Sequence, residues 1–146
     1  MKEKLLISAC LLGFHCKYDG GTNSLSAETI AALREKYELV PVCPETAGGL
    51  PIPRAPSERR GVRVVSREGN DVTGEYQKGA QIALALARRF DCRKALLKER
   101  SPSCGAGEIY DGSFSHTRVP GDGVAAEALR AAGLELCGES ETDSMI

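Results

Sequence analysis

The chain has 146 residues, enough for one domain with a real hydrophobic core. Its formal net charge of -1 removes the electrostatic case for nucleic-acid binding or for attraction of an acidic substrate. No apolar run reaches bilayer length, and Met1 to Ile7 lack the long apolar core and small-residue cleavage site of a signal peptide, so a cytoplasmic location and no membrane partner are expected.

Lys4 to Ala9 reads as a buried first strand ending at Cys10. Asp19-Gly20-Gly21 and Asn23 mark the following segment as loop. Ser24 or Ser26 can cap a helix carrying Ile30, Leu33 and Tyr37 at helical spacing. Leu39 to Val42 is a second strand, and Pro41, which cannot donate to a ladder, puts it at an edge. Cys43-Pro44-Glu45 follows at once, and then a segment whose glycines and prolines exclude regular structure. Gly61 to Ser66 reads as a strand or hairpin arm, with Arg63 and Arg67 facing solvent.

The spacing of Tyr76, Ala80, Ala83, Leu84, Ala87 and Phe90 predicts the longest helix, with Glu75 in its first turn and Arg88 and Arg89 in its last. Lys94 to Leu97 is a strand. It breaks into Lys98-Glu99-Arg100-Ser101-Pro102-Ser103-Cys104-Gly105, a mixture that folding alone does not call for. Pro102 pushes Ser101 out of the helical region. Ile109 to Phe114 reads as a polar turn, Val124 to Ala132 as a last helix closed by Gly133, and Leu134 to Cys137 as a last strand. The expected fold is α/β: one Rossmann-like domain over residues 1–138, an open and mostly parallel sheet with helices on both faces. Residues 139–146 are expected to be a mobile polar tail.

Ligands of such sheets bind beyond the carboxyl ends of the strands. Cys10 and Cys43 follow the first two strands, and Cys104 lies in the loop after Leu97, so three cysteines are expected on one edge. Any one alone reads equally well as a small buried hydrophobe. Six cysteines in a cytoplasmic chain favour metal ligands or catalytic groups over disulfides. No Cys-x-x-Cys pair is present, which disfavours zinc ribbons and thioredoxin-like motifs. Three thiolates suit an iron–sulfur cluster better than structural zinc, which closes its shell with four ligands. A [4Fe-4S] cluster so held keeps one iron without a protein ligand, free to bind a soft substrate atom. Cys16 is a candidate fourth ligand or a neighbour behind the ligands; Cys92 reads as packing and Cys137 as incidental. Glu45 and Ser101 are candidate proton-handling groups and Ser103 a candidate substrate contact, against readings as surface charge and turn hydroxyls. Lys98, Glu99 and Arg100 read as an internal ion-pair cluster, and Arg54 and Arg59 as solvated or structural.

Ser8-Ala9-Cys10-Leu11-Leu12-Gly13, Cys16-Lys17-Tyr18-Asp19-Gly20, Val42-Cys43-Pro44-Glu45, Gly48-Gly49-Leu50, Pro53-Arg54, Asp71-Val72-Thr73, Leu97 to Gly105 and Ile109-Tyr110-Asp111-Gly112 resemble the domain-of-unknown-function family (number 523) that contains the thiouracil desulfidases. The resemblance spans Leu6 to about Leu136. It implies a [4Fe-4S] cluster on Cys10, Cys43 and Cys104 and non-redox desulfuration of a thiolated pyrimidine, the sulfur binding the open iron and water adding at carbon. It implies proton transfer by Glu45 and Ser101, and a small thiolated base or nucleoside as partner. Two other readings stand beside it: a zinc protein closed by Cys10, Cys16, Cys43 and Cys104, and a small-molecule-binding or sulfur-carrier protein without desulfidase activity.

Overall fold

The computed structural model describes residues 2–146. Four parallel strands form the central sheet in the order β2-β1-β5-β8. They are β1 (Glu3–Ser8), β2 (Tyr37–Val42), β5 (Lys94–Leu97) and β8 (Glu135–Gly138). β2 is an outer strand, as Pro41 requires, and Pro41 stands opposite Ile7 in the register.

The strand alternation sorts two cores. Leu5, Ile7 and Leu96 point to one face, where Leu33 of α1 (Ala27–Lys36) packs on them. Leu6, Ala95 and Leu97 point to the other, beneath α3 (Thr73–Arg89) and α4 (Val124–Ala131). The small residues Ala83, Ala87 and Ala126 let those two helices sit close to the sheet. The doubly covered sheet is the predicted one. None of the described helices is long and apolar enough to cross a membrane.

Three expectations change and one, the hairpin arm, gains its partner strand. Ser26 is the cap of α1, its side chain accepting the Thr29 N–H at 3.1 Å, but Tyr37 is not helical: it opens β2 with no loop between. The arm at Gly61–Ser66 is one half of a hairpin, β3 (Ser57–Arg60) against β4 (Arg63–Ser66). The polar turn after Ile109 is spanned by a ribbon, β6 (Glu108–Tyr110) against β7 (Arg118–Pro120). The expected mobile tail at 139–146 is docked instead. It folds into a short turn and α5 (Thr142–Met145), Met145 is buried on the α1 side, and Lys36 donates to the Met145 carbonyl at 2.7 Å. Cys137, expected to be incidental, is buried in that same core, while Cys92 packs under α3 as expected.

Candidate active site

The order β2-β1-β5-β8 places the reversal of strand order between β1 and β5, where a doubly wound sheet opens a crevice at its carboxyl ends. A cavity of about 340 Å³ lies there, lined by Cys10, Cys16, Cys43 and Cys104 together with Glu45, Ser101 and Ser103. The structure thus brings together every site residue proposed from the sequence.

Each arrives by a separate device. Cys10 sits in a 3-10 turn, Ala9–Leu12, whose geometry is held by Thr22 Oγ1 and the Asn23 N–H donating to the Cys10 carbonyl at 2.9 and 3.1 Å. Cys43 is the N-cap of a one-turn helix, α2 (Pro44–Ala47), with Pro44 at the first position, where its missing N–H costs nothing. That turn aims Glu45 back toward the cavity. Cys104 sits within a tight turn closed by the Gly105 N–H donating to the Ser101 carbonyl at 2.8 Å.

The thiols differ. Cys43 is pushed down to about 6, first by a hydrogen bond from the Cys16 thiol and then by Thr46, against the cost of burial. Cys16 moves the opposite way for the same reason. Burial raises Cys10, and it pushes Cys104 up to about 12. Buried thiols of this kind become thiolates only when a cation joins them, so the donor set fits a soft metal centre. Among the described residues no three His, Cys, Asp or Glu side chains are grouped tightly enough to chelate a single ion. A four-iron cluster would take its thiolates at separate corners rather than around one ion.

Glu45 is held between two partners. Arg54 Nε donates to Glu45 Oε1 at 3.0 Å, and the Ser103 hydroxyl donates to Oε2 at 3.0 Å. Arg54, read from the sequence as solvated or structural, is a buried structural residue; its Nη2 also donates to the Cys16 carbonyl at 2.8 Å. Tyr76, expected only as helix packing, buries its phenol next to Glu45 and Ser57. Ser101 Oγ accepts the N–H groups of Ser103 and Cys104, each at 3.1 Å. Ser8, unmarked in the sequence, accepts the Lys98 N–H at 2.9 Å and lies beside the Cys104 thiol. Lys98, Glu99 and Arg100 do not pair with one another. Lys98 pairs with Glu139 at 2.8 Å, Arg100 with Glu108 at 3.4 Å, and Glu99 accepts from Ser140. Arg59 ties the β3–β4 hairpin to α4 through Glu127, at 3.0 Å.

The cavity mouth carries Tyr18, Tyr110, Phe114 and His116. Phe114 and His116 hold positive φ angles of 58 and 60°, a conformation that costs energy in non-glycine residues and needs outside support. For Phe114, Glu58 provides it by accepting the N–H groups of Gly112 and Phe114, at 3.0 and 3.1 Å. A β ribbon would have revealed this loop in the sequence only if its three-residue arms were longer.

Comparison with known proteins agrees with this geometry. The family model of the 2-thiouracil desulfurases matches residues 5–141. An uncharacterised protein of Bacillus subtilis, YbbK, is 37% identical over 152 residues, covering 97% of this chain and 99% of its own. The solved structure of a [4Fe-4S]-dependent thiouracil desulfidase, TudS, superposes with a TM-score of 0.93 at 43% identity, covering 98% of this chain and 95% of that one. On its matched length and on these likenesses, the chain belongs to the 2-thiouracil desulfurase family.

Proposed function

We propose that this chain is an enzyme that removes sulfur from a small thiolated pyrimidine, a base or nucleoside of the 2- or 4-thiouracil kind. The observation that carries the reading is the meeting of Cys10, Cys43 and Cys104, from the ends of three adjacent strands, in one cavity with Glu45 and Ser101. The family and the likeness to TudS support it.

Cys10, Cys43 and Cys104 would hold a [4Fe-4S] cluster, leaving one iron without a side-chain ligand, with Cys16 behind Cys43 as a thiol that steadies it. When bound, such a cluster supplies a soft Lewis-acid position suited to a thiocarbonyl sulfur. The reaction consumes one water for each sulfur released. Carbon exchanges its bond to sulfur for a bond to oxygen, and the hydrogens of water leave with the sulfur as hydrogen sulfide, so no electrons are gained or lost. Glu45 takes the proton of the attacking water, and Ser101 serves the ring or the departing sulfur. Tyr18, Phe114 and His116 offer flat faces to a planar base at the mouth. All six thiols are free, which suits a reducing compartment such as the cytoplasm.

Anaerobic purification and reconstitution should give a brown protein with about four irons per chain. Sulfide, measured as methylene blue, should appear from 2- or 4-thiouracil or their nucleosides. Cys43→Ala should lose iron and activity together. A protein that takes up one zinc and no iron would support the zinc reading, and cluster uptake without sulfide from any thiolated base would support the carrier reading.

A further inference from the structure

We propose that Ser103 joins Ser101 and Glu45 into one hydrogen-bonded wire with a fixed direction, running from the Ser101 hydroxyl through Ser103 to the Glu45 carboxylate. The inference rests on the desulfidase reading for its purpose, though its geometry stands apart from it.

Ser103 is 2% exposed and bonded to Glu45, and in the wire it acts as a positioning residue. Its Oγ lies 3.0 Å from Ser101 Oγ and 3.0 Å from Glu45 Oε2. Distances alone allow the Ser101–Ser103 bond to point either way. The inventory of each hydroxyl decides. A serine oxygen has one proton and two lone pairs. Ser101 Oγ accepts two backbone N–H groups, from Ser103 and Cys104, each at 3.1 Å, so both lone pairs are taken. What it has left is its proton, and Ser103 Oγ is within reach to accept it. Ser103 then has its own proton to give. Its two candidate acceptors are Glu45 Oε2 at 3.0 Å and the Cys104 sulfur at 3.7 Å, and the oxygen, nearer and a stronger acceptor than sulfur, takes it. Beyond Glu45 the line ends at Arg54, which donates to the other carboxylate oxygen and does not give up a proton.

The wire is clamped. The first-turn amides of α4, Ala125 and Ala126, both donate to the Ser103 carbonyl, at 2.9 and 3.0 Å, and Val124 donates to the Pro102 carbonyl at 2.9 Å. Gly123 packs so closely that a Cβ there would lie 2.5 Å from the Ser103 carbonyl carbon. The backbone that carries Ser103 is therefore fixed to the helix, and its Cβ cannot shift without unseating it. Once Glu45 holds the proton of the attacking water, the line works in reverse: Glu45 gives that proton to Ser103 as Ser103 gives its own to Ser101 and Ser101 gives its own to the departing sulfur. One proton moves from water to sulfur, and each hydroxyl ends with the single proton it began with. The two amides that Ser101 Oγ accepts stabilise the oxygen when it has released its proton.

The test uses the anaerobically reconstituted holoenzyme and Ser103→Ala, Glu45→Gln and the double variant. Iron content and the visible spectrum of Ser103→Ala should match wild type, KM should hold, and kcat should fall roughly 100-fold. The double variant should be no slower than Glu45→Gln alone, because the two removals break one wire. The infrared carboxylate band of Glu45, identified by its loss in Glu45→Gln, should shift in Ser103→Ala. A kcat within about threefold of wild type, or additive losses in the double variant, would overturn the proposal. Should Ser103→Ala fail to load iron, Ser103→Thr decides: a kept hydroxyl with an unmoved band and near-normal kcat supports the wire, and a lost kcat with that band unmoved sinks it. If wild type releases no sulfide from any thiolated base, the functional reading falls, and the band shift alone still decides the role of Ser103.

Discussion

Arg54 carries more than its place in a proline-rich loop suggests. Its side chain is 7% exposed and that of its partner Glu45 is 15% exposed. Removing one member of a buried pair leaves the other charge unpaired, so Arg54→Ala should cost about 3 kcal/mol in denaturant unfolding. Arg54→Lys should recover only part of this, because an ammonium cannot serve Glu45, Pro51 and Cys16 at once with a planar fork. At this scale the cysteines were legible because each follows a strand, and strands announce themselves by their apolar runs. The order of the serines was not. Ser101 and Ser103 look alike in the sequence, and only the approach of Glu45, 58 positions away, separates the one that bonds it from the one that anchors the turn. The approach of Arg54 and Tyr76 to Glu45 was not legible for the same reason: their partner lies on another element.

Between elements, the decisive contact is the crossing of α2 over α3. Gly48 and Gly79 let the two backbones touch; a Cβ on Gly79 would lie 1.8 Å from the Pro44 carbonyl oxygen. α2 carries Glu45 and is capped by Cys43, so its seat on α3 sets two site residues together. Gly79→Ala should push α2 away, costing about 1–3 kcal/mol of stability and most of the activity. Gly74→Ala, on the same helix with nothing near its Cβ position, should be neutral or slightly stabilising by thermal melt. The sheet strands and the two long helices were readable because their apolar periods are long. The hairpin β3–β4 was half-missed because Ser57–Arg60 is entirely polar, and its pairing depends on β4 rather than on its own pattern. Tyr37 kept helical spacing while belonging to the next strand, since nothing in a spacing rule detects a helix that passes into a strand without a turn.

The molecule as a whole closes on its own carboxyl end. Residues 139–146 read as polar, and two apolar residues, Met145 and Ile146, are too little pattern to announce packing. Yet Met145 is 3% exposed, and Glu139 both pairs with Lys98 and accepts the Glu99 N–H. Met145→Ala should therefore cost about 2 kcal/mol, readable as a lowered urea midpoint, where a mobile tail would cost nothing. A second whole-molecule trait is the response to acid. Arg130 beside Asp122 holds that carboxyl below its usual range, and Asp122 also accepts the Gly107 N–H at 2.8 Å, pinning the strand β6 approach to α4. A group depressed in the folded state adds stability above its unfolded value and loses it as pH falls through the folded one. Unfolding measured downward from about pH 4 should show that loss, and Asp122→Asn should flatten it while lowering stability at neutral pH.

The clamp that α4 places on the Pro102–Ser103 peptide also has a timetable written into it. A nascent chain presents its first two strand-end sulfurs early, but the amides that seat the third loop, at Val124, Ala125 and Ala126, are made some twenty positions later, and Glu139 later still. A chain extended only as far as Gly105 therefore holds a half-built socket, and a group that needs all three sulfurs would find its seat only after Val124 to Ala126 and Glu139 have folded in.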